Sequence, residues 1–178
     1  WQNIHSTFLN NTNMKNKLSA IVLLVSCMMC SQIQKVQAWG MTGHRVIAEV
    51  AERHLSKKAK KNIQKVIGNQ HIAYWSNWAD FIKSDTSEAF KKTGSWHFVN
   101  TSANLTYDQF HAELQQSPDN NLYKAYLNVK KETIENKDLS LAQQQQNLYF
   151  ILHLFADAHQ PMHVGRAADL GGNKIEVM

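Results

Sequence analysis

The run His153-Leu-Phe-Ala-Asp157-Ala-His159-Gln-Pro-Met-His163 sets three imidazoles and a carboxylate in otherwise apolar chain. His153 and Asp157 are four apart, so on a helix they share one face and can grip one ion together. A buried carboxylate without a partner is costly, and a divalent cation partners both carboxylate and imidazole. Trp39, His44, Asp80 and His97 extend the set upstream, giving seven candidate metal ligands with His153, Asp157 and His163. Both cysteines, Cys27 and Cys30, fall in the stretch that reads as a removable signal, so any site is expected to be built from His, Asp and backbone or terminal groups rather than thiolates. That donor set suits catalytic zinc or another exposed first-row ion better than a closed Cys site.

Helices must position these groups. Val46, Ile47, Val50, Ala51 and His54 recur at helical spacing after Gly43. Ser56 suits the N-cap of a helix reaching Ile67, with Gly68-Asn69 as its stop. Tyr74 to Ile82 reads as one helix with Trp75, Trp78, Ala79 and Ile82 on one side. Ser117-Pro118 opens another toward Glu135, because proline suits a first turn. Leu139 to His159 is the longest run, and Gln160-Pro161 breaks it so that His163 points away from the His153/Asp157 face. Trp96–Val99 and Lys174–Val177 read as extended, which leaves a mainly α fold with a minor β-hairpin or extended segments.

The N-terminal part does not belong to that fold. Residues 1–13 read as an upstream, non-native tail. Residues 14–38 read as a signal peptide: Met14-Lys-Asn-Lys17 is basic, Leu18–Cys30 is apolar, and Val36-Gln37-Ala38 suits cleavage. The apolar run is too short to span a bilayer comfortably, so export rather than a transmembrane anchor is expected. Leu24-Val25-Ser26-Cys27 also fits a lipoprotein signal, with Cys27 as a lipid anchor; only cleavage after Ala38 frees the amine of Trp39. Residues 39–178 are long enough for one domain. Of the formal net charge of +5, Lys15, Lys17 and Lys35 supply three positive charges in the removable part, which has no acids. The remaining balance is a weak argument for electrostatic nucleic-acid binding.

Trp39-Gly-Met-Thr-Gly-His44, Trp78-Ala-Asp80, Trp96-His97-Phe98, His153 through Gln160-Pro161-Met162-His163, and Gly171-Gly172-Asn173 occur in an order that resembles one family. It is the secreted zinc-dependent nucleases of S1/P1 type, whose helical fold is shared with zinc-dependent phospholipase C. The resemblance implies hydrolysis of single-stranded DNA and RNA, and of 3′-nucleotides, with three zinc ions. Asp80, His97, His153 and Asp157 resemble the ligands of one ion. Asp157 also resembles the bridge to a second, held by His44 and by the terminal amine and carbonyl of Trp39. His163 resembles a ligand of the third, whose other ligands in the family lie downstream of Gly-Gly-Asn; none follows Asn173 here, so a C-terminally truncated chain with two largely complete zinc sites is expected. By the same match Phe98 resembles a base-stacking platform, Lys83 a phosphate contact and Asn173 a substrate contact. Asn100 stands where fungal members read the base with an acid.

The chemistry agrees with that implication. A metal pair activates water for in-line attack on phosphorus, and Asp80 is placed to orient that water or take its proton. Stacking on Phe98 would select unpaired strands without a strongly basic surface. Two other functions compete: a zinc phospholipase C built on the same cage, and a catalytically incomplete metal-binding surface lipoprotein. No obligate protein partner is evident. His54, His71 and His111 read as structural, and Lys57–Lys61 as a solvated helix face.

Overall fold

Side-chain caps start several of the helices. The computed structural model describes residues 39–83, 85–172 and 174. The expected signal segment with Cys27, Asn173, and residues 175–177 of the expected second extended stretch lie outside the described residues; Lys174 is in a turn. Helix α1 (Met41–His54) follows Gly40. Helix α2 (Lys57–Ile67) is capped by the Ser56 hydroxyl, which accepts from Ala59 N, and ends at Gly68, whose φ of 68° is a backbone state that favours glycine. Two short helices follow, α3 (Ile72–Trp75) and α4 (Trp78–Ile82). The single helix expected from Tyr74 to Ile82 is therefore broken at Ser76-Asn77, where both residues are buried and the Ser76 carbonyl accepts from His153 Nδ1.

Helix α5 (Glu88–Lys91) runs into a 3₁₀ turn, Lys92–His97. Trp96 and His97 are thus helical rather than extended, and the strand β1 is only Val99–Asn100. Helix α6 (Tyr107–Gln116), which sequence periodicity did not disclose, begins with a capping box between Thr106 and Gln109. Helix α7 (Leu122–Glu135) starts four residues later than Pro118 suggests, because Asn121 takes the cap by accepting from Lys124 N. Helix α8 (Leu141–Ala158) opens with a second capping box, Ser140 with Gln143. A 3₁₀ turn, Pro161–His163, leads directly into β2 (Val164–Gly165), and a last one covers Ala167–Gly172.

Helix α8 is the centre of the packing. One side buries Phe150 and Leu154 with Ala79, Val99, Leu122, Ala125 and Val129. The other sets Tyr149 with Ala48, Ile67 and Ile72. Trp75 stacks on Tyr149 with ring centroids 4.4 Å apart, and Trp78 meets Phe150 edge-on at 5.3 Å, so both indoles serve the core. The β contribution is a parallel pair, Val99 with Val164 and Asn100 with Gly165, extended by Thr101 N donating to Gly165 O at 2.8 Å. Of the two expected forms, a hairpin or extended segments, the short extended segments are what the described residues show: β1 and β2 are parallel, and the crossover that parallel strands need is provided by α6, α7 and α8. Among the described residues no helix is long and apolar enough to cross a membrane.

Candidate metal centre

Five separate segments deliver the polar cluster. On α8, His153 and Asp157 are one helical turn apart and both are buried. On α1, His44 and Ala48 make the equivalent inward stripe, and the His44 ring stacks on that of His153 at 3.8 Å. Asp80 enters from α4. His97 closes the 3₁₀ turn two residues before β1, and His163 ends another one residue before β2. The short parallel ladder therefore fixes both histidines beside the C-terminal end of α8.

Asp157 is the hub. Its Oδ2 lies 3.1 Å from His97 Nδ1 and 3.2 Å from His153 Nε2. Its Oδ1 lies 3.3 Å from His44 Nε2 and 3.7 Å from His163 Nε2. Asp80 approaches the same nitrogens from the solvent side, with Oδ1 3.6 Å from His97 Nδ1 and 3.7 Å from His153 Nε2. Lys83 Nζ, one turn on, bonds Asp80 Oδ1 at 2.7 Å. The kink at Pro161 thus turns His163 back toward Asp157, contrary to the expectation that it would point away. Gln160 shapes this return: its side-chain oxygen accepts from Met162 N, and its carbonyl from His163 N.

Tautomers follow from the partners. The Ser76 carbonyl can only accept, so His153 donates to it from Nδ1 at 2.7 Å and turns Nε2 inward. A neutral His153 then presents a lone pair to Asp157 Oδ2, and the arrangement is stable only with a proton or a cation between them. Burial alone would lower His153, yet its bonds to Asp157 outweigh this and hold it above the usual imidazole range. Burial would likewise raise Asp157, but His153, His44 and His97 keep its carboxyl well below the carboxylate range. For His97 and His163 burial wins, and both are lowered. Asp80, desolvated but facing His153 and Lys83, is lowered as well.

The donor set fits a cation. His44, His153 and Asp157 form one group of mutually close donor atoms, and Asp80, His97 and His153 a second. Asp157 Oδ1 and His44 Nδ1, His97 Nε2 and His163 Nδ1 are buried without a hydrogen bond among the described residues. A third carboxylate-histidine group, Glu49, Glu52 and His71, is engaged otherwise: Glu49 pairs with Arg53, and Glu52 accepts from Ile72 N.

A cavity of about 440 Å³ opens over the cluster and is lined by Trp39, Gly40, Met41, His44, Asp80, Phe81, Lys83, His97, Asp157 and His163. Six of the seven candidate ligands and Lys83 are on its wall, with His153 fully buried behind them. A Cβ on Gly43 would sit 3.1 Å from Trp39 Cβ, so the glycine leaves room for Trp39 to lie against α1. Phe98 and Asn100 are not among the lining residues; Phe98 is partly exposed, and Asn100 lines a separate cavity with Gln109, Glu113 and Ser117. His159 faces away, donating to the Phe155 carbonyl at 2.7 Å. Sequence reasoning missed Met41 and Phe81. The signal for Phe81 was present, since assigning Trp78, Ala79 and Ile82 to the core side leaves Phe81 on the other.

Fold and cluster together define a mainly α domain built around a thiol-free His/carboxylate centre of the kind that holds divalent cations. A family model described as S1/P1 nuclease matches residues 39–178, and the chain belongs to that family. It is 25% identical over 170 residues to Endonuclease 2 of Arabidopsis thaliana, covering 90% of this chain and 57% of that protein. It is 26% identical to Nuclease S1 of Aspergillus oryzae, over 88% of this chain and 54% of the relative. It is 28% identical to Nuclease P1 of Penicillium citrinum, over 78% and 52%. The chain spans about half the length of these relatives. The phospholipase and lipoprotein readings gain no support from these matches.

Proposed function

We propose that this chain belongs to an exported, zinc-dependent nuclease that hydrolyses phosphodiesters of single-stranded DNA and RNA, and 3′-nucleotides. Residues 39–178 are the nuclease domain, and residues 14–38 are its removable signal. The observation that carries the reading is Asp157: a carboxylate 1% exposed, with nitrogens of four imidazoles within 3.7 Å of its two oxygens, in a chain of this family.

Asp80, His97, His153 and Asp157 would hold one zinc, and Asp157, His44 and the Trp39 terminus a second; His163 is assigned to a third. Bound zinc supplies Lewis-acid polarisation of a phosphoryl oxygen and of the attacking water. The protein's own groups do the rest. Asp80, ionised at neutral pH and open to the cavity, orients the water and accepts its proton. Lys83, beside it, offers a positive charge to the phosphate. Ser76 holds the His153 ring in the tautomer that keeps Nε2 free. Phe98 stacks a base, with Asn100 and Asn173 as further substrate contacts.

Metal content and hydrolysis of a single-stranded oligonucleotide, measured on protein starting at Trp39 and on the same protein with one extra N-terminal residue, test this. Two or more zincs with chelator-sensitive cleavage, both reduced by the extra residue, are expected. Absence of zinc binding would overturn the proposal.

A further inference from the structure

Helix α4 spends most of its side chains in one direction. Ala79 is fully buried, Trp78 and Ile82 pack against the core, and Asp80 reaches the histidine cluster. Phe81 is left over: the residue is 62% exposed, yet it lines the same cavity as Asp80, Lys83 and His163. Met41, in the first turn of α1 and 53% exposed, lines that cavity too. Single exposed apolar residues are ordinary on a surface. Here two share the wall of a cavity whose remaining lining is Trp39, Gly40, three histidines, two carboxylates and a lysine.

The composition of that wall selects its occupant. Lys83 Nζ, held 2.7 Å from Asp80 Oδ1, offers positive charge to an anion at the cluster. A flat apolar group attached to that anion would meet Phe81 one residue away from Asp80. A nucleobase linked through its sugar to a phosphate has this pairing of charge and apolar face. Phe98 lies outside the cavity lining, so it would engage a different nucleotide of the strand.

We propose that Phe81, on the cavity wall, is a base-stacking residue that takes the nucleobase of the nucleotide joined to the phosphate at the His/Asp cluster. The assignment rests on the nuclease reading above. A base must leave its neighbours in a duplex to lie on this face, so Phe81 contributes to preference for unpaired strands. Stacking on one aromatic face is tolerant of base identity, and its loss weakens binding by about tenfold.

The test compares wild type with Phe81→Leu and Phe81→Trp on an oligothymidylate tetramer and on the same tetramer made of abasic units. Phe81→Leu is expected to raise KM for the thymidylate about tenfold with kcat retained, and Phe81→Trp to restore it. The loss should be confined to the base-bearing substrate. Anisotropy binding of the two tetramers in chelator gives a second readout that needs no turnover, and there Phe81→Leu should abolish the preference for thymidylate. Equal loss on both tetramers would mark Phe81 as structural and overturn the proposal, as would an unchanged KM and affinity for thymidylate. If wild type cleaves neither tetramer, the nuclease reading falls on its own; the stacking assignment falls with it only if the preference in binding is also absent.

Discussion

Replacing Asp157 by Asn keeps the shape of the hub and removes its charge. At pH 6 the metal-free protein holds His153 protonated against a carboxylate that is 1% exposed, with Oδ2 3.2 Å from Nε2. Breaking a buried pair of this kind costs about 3–5 kcal/mol, and the low end applies because the amide oxygen still accepts a bond. For a chain of this size about 3 kcal/mol lowers Tm by roughly 10 °C. The sign with pH follows from Asp157 being depressed. Its contribution is present above the unfolded value of about 3.9 and is lost as pH falls below that toward the folded value, so the gap to wild type narrows near pH 3. Zinc supplies a second readout: a ligand at 100 times its Kd stabilises by about 2.7 kcal/mol, a shift that wild type should show and Asp157→Asn should lack. Thermal denaturation at pH 6 without metal, and at pH 7 with and without zinc, checks both. An Asp157→Asn protein as stable as wild type and equally stabilised by zinc would refute the reasoning.

Gly43→Ala is expected to leave Tm unchanged or slightly higher, since alanine favours the helix, while lowering zinc content in protein that starts at Trp39. The added methyl would push on Trp39 Cβ and Cγ, and metal analysis reads the loss directly. Zinc affinity should rise with pH through the ordinary imidazole range, near about 6.5, and above it. His153 is raised and must release its proton to bind, whereas His97 and His163 are lowered and give up theirs at lower pH. Calorimetry in buffers of different ionisation enthalpy should register that proton release, and a pH-independent affinity would contradict the assignment of His153.

Much of the fold was legible because local rules and burial agreed. The Ser56 cap, the Gly68 stop and the apolar periodicity of α8 each appear in the structure close to where the sequence puts them. The exceptions have two causes, the demands of the site and weak burial. Tyr74–Ile82 has the spacing of a continuous helix, but Ser76 must expose its carbonyl to His153, and the chain breaks there. Helix α6 escaped notice because its capping box, Thr106 with Gln109, precedes a run with few buried residues. Trp96-His97-Phe98 looked like a strand from its aromatics, yet the 3₁₀ turn is what brings the His97 ring to Asp157.

By itself the sequence determined the donor set. It named His153 and Asp157 as one helical face, listed the other imidazoles and Asp80, and excluded cysteine ligands, because residue type and helical spacing are local properties. Only the tertiary structure decided that these donors meet. His163 illustrates the difference: proline predicts a break but not its direction, and pairing of Val164 with Val99 aims the histidine at Asp157. The exposed side of Phe81 on the cavity wall is equally a product of packing, since it is set by what Trp78, Ala79 and Ile82 bury against α8 and its neighbours.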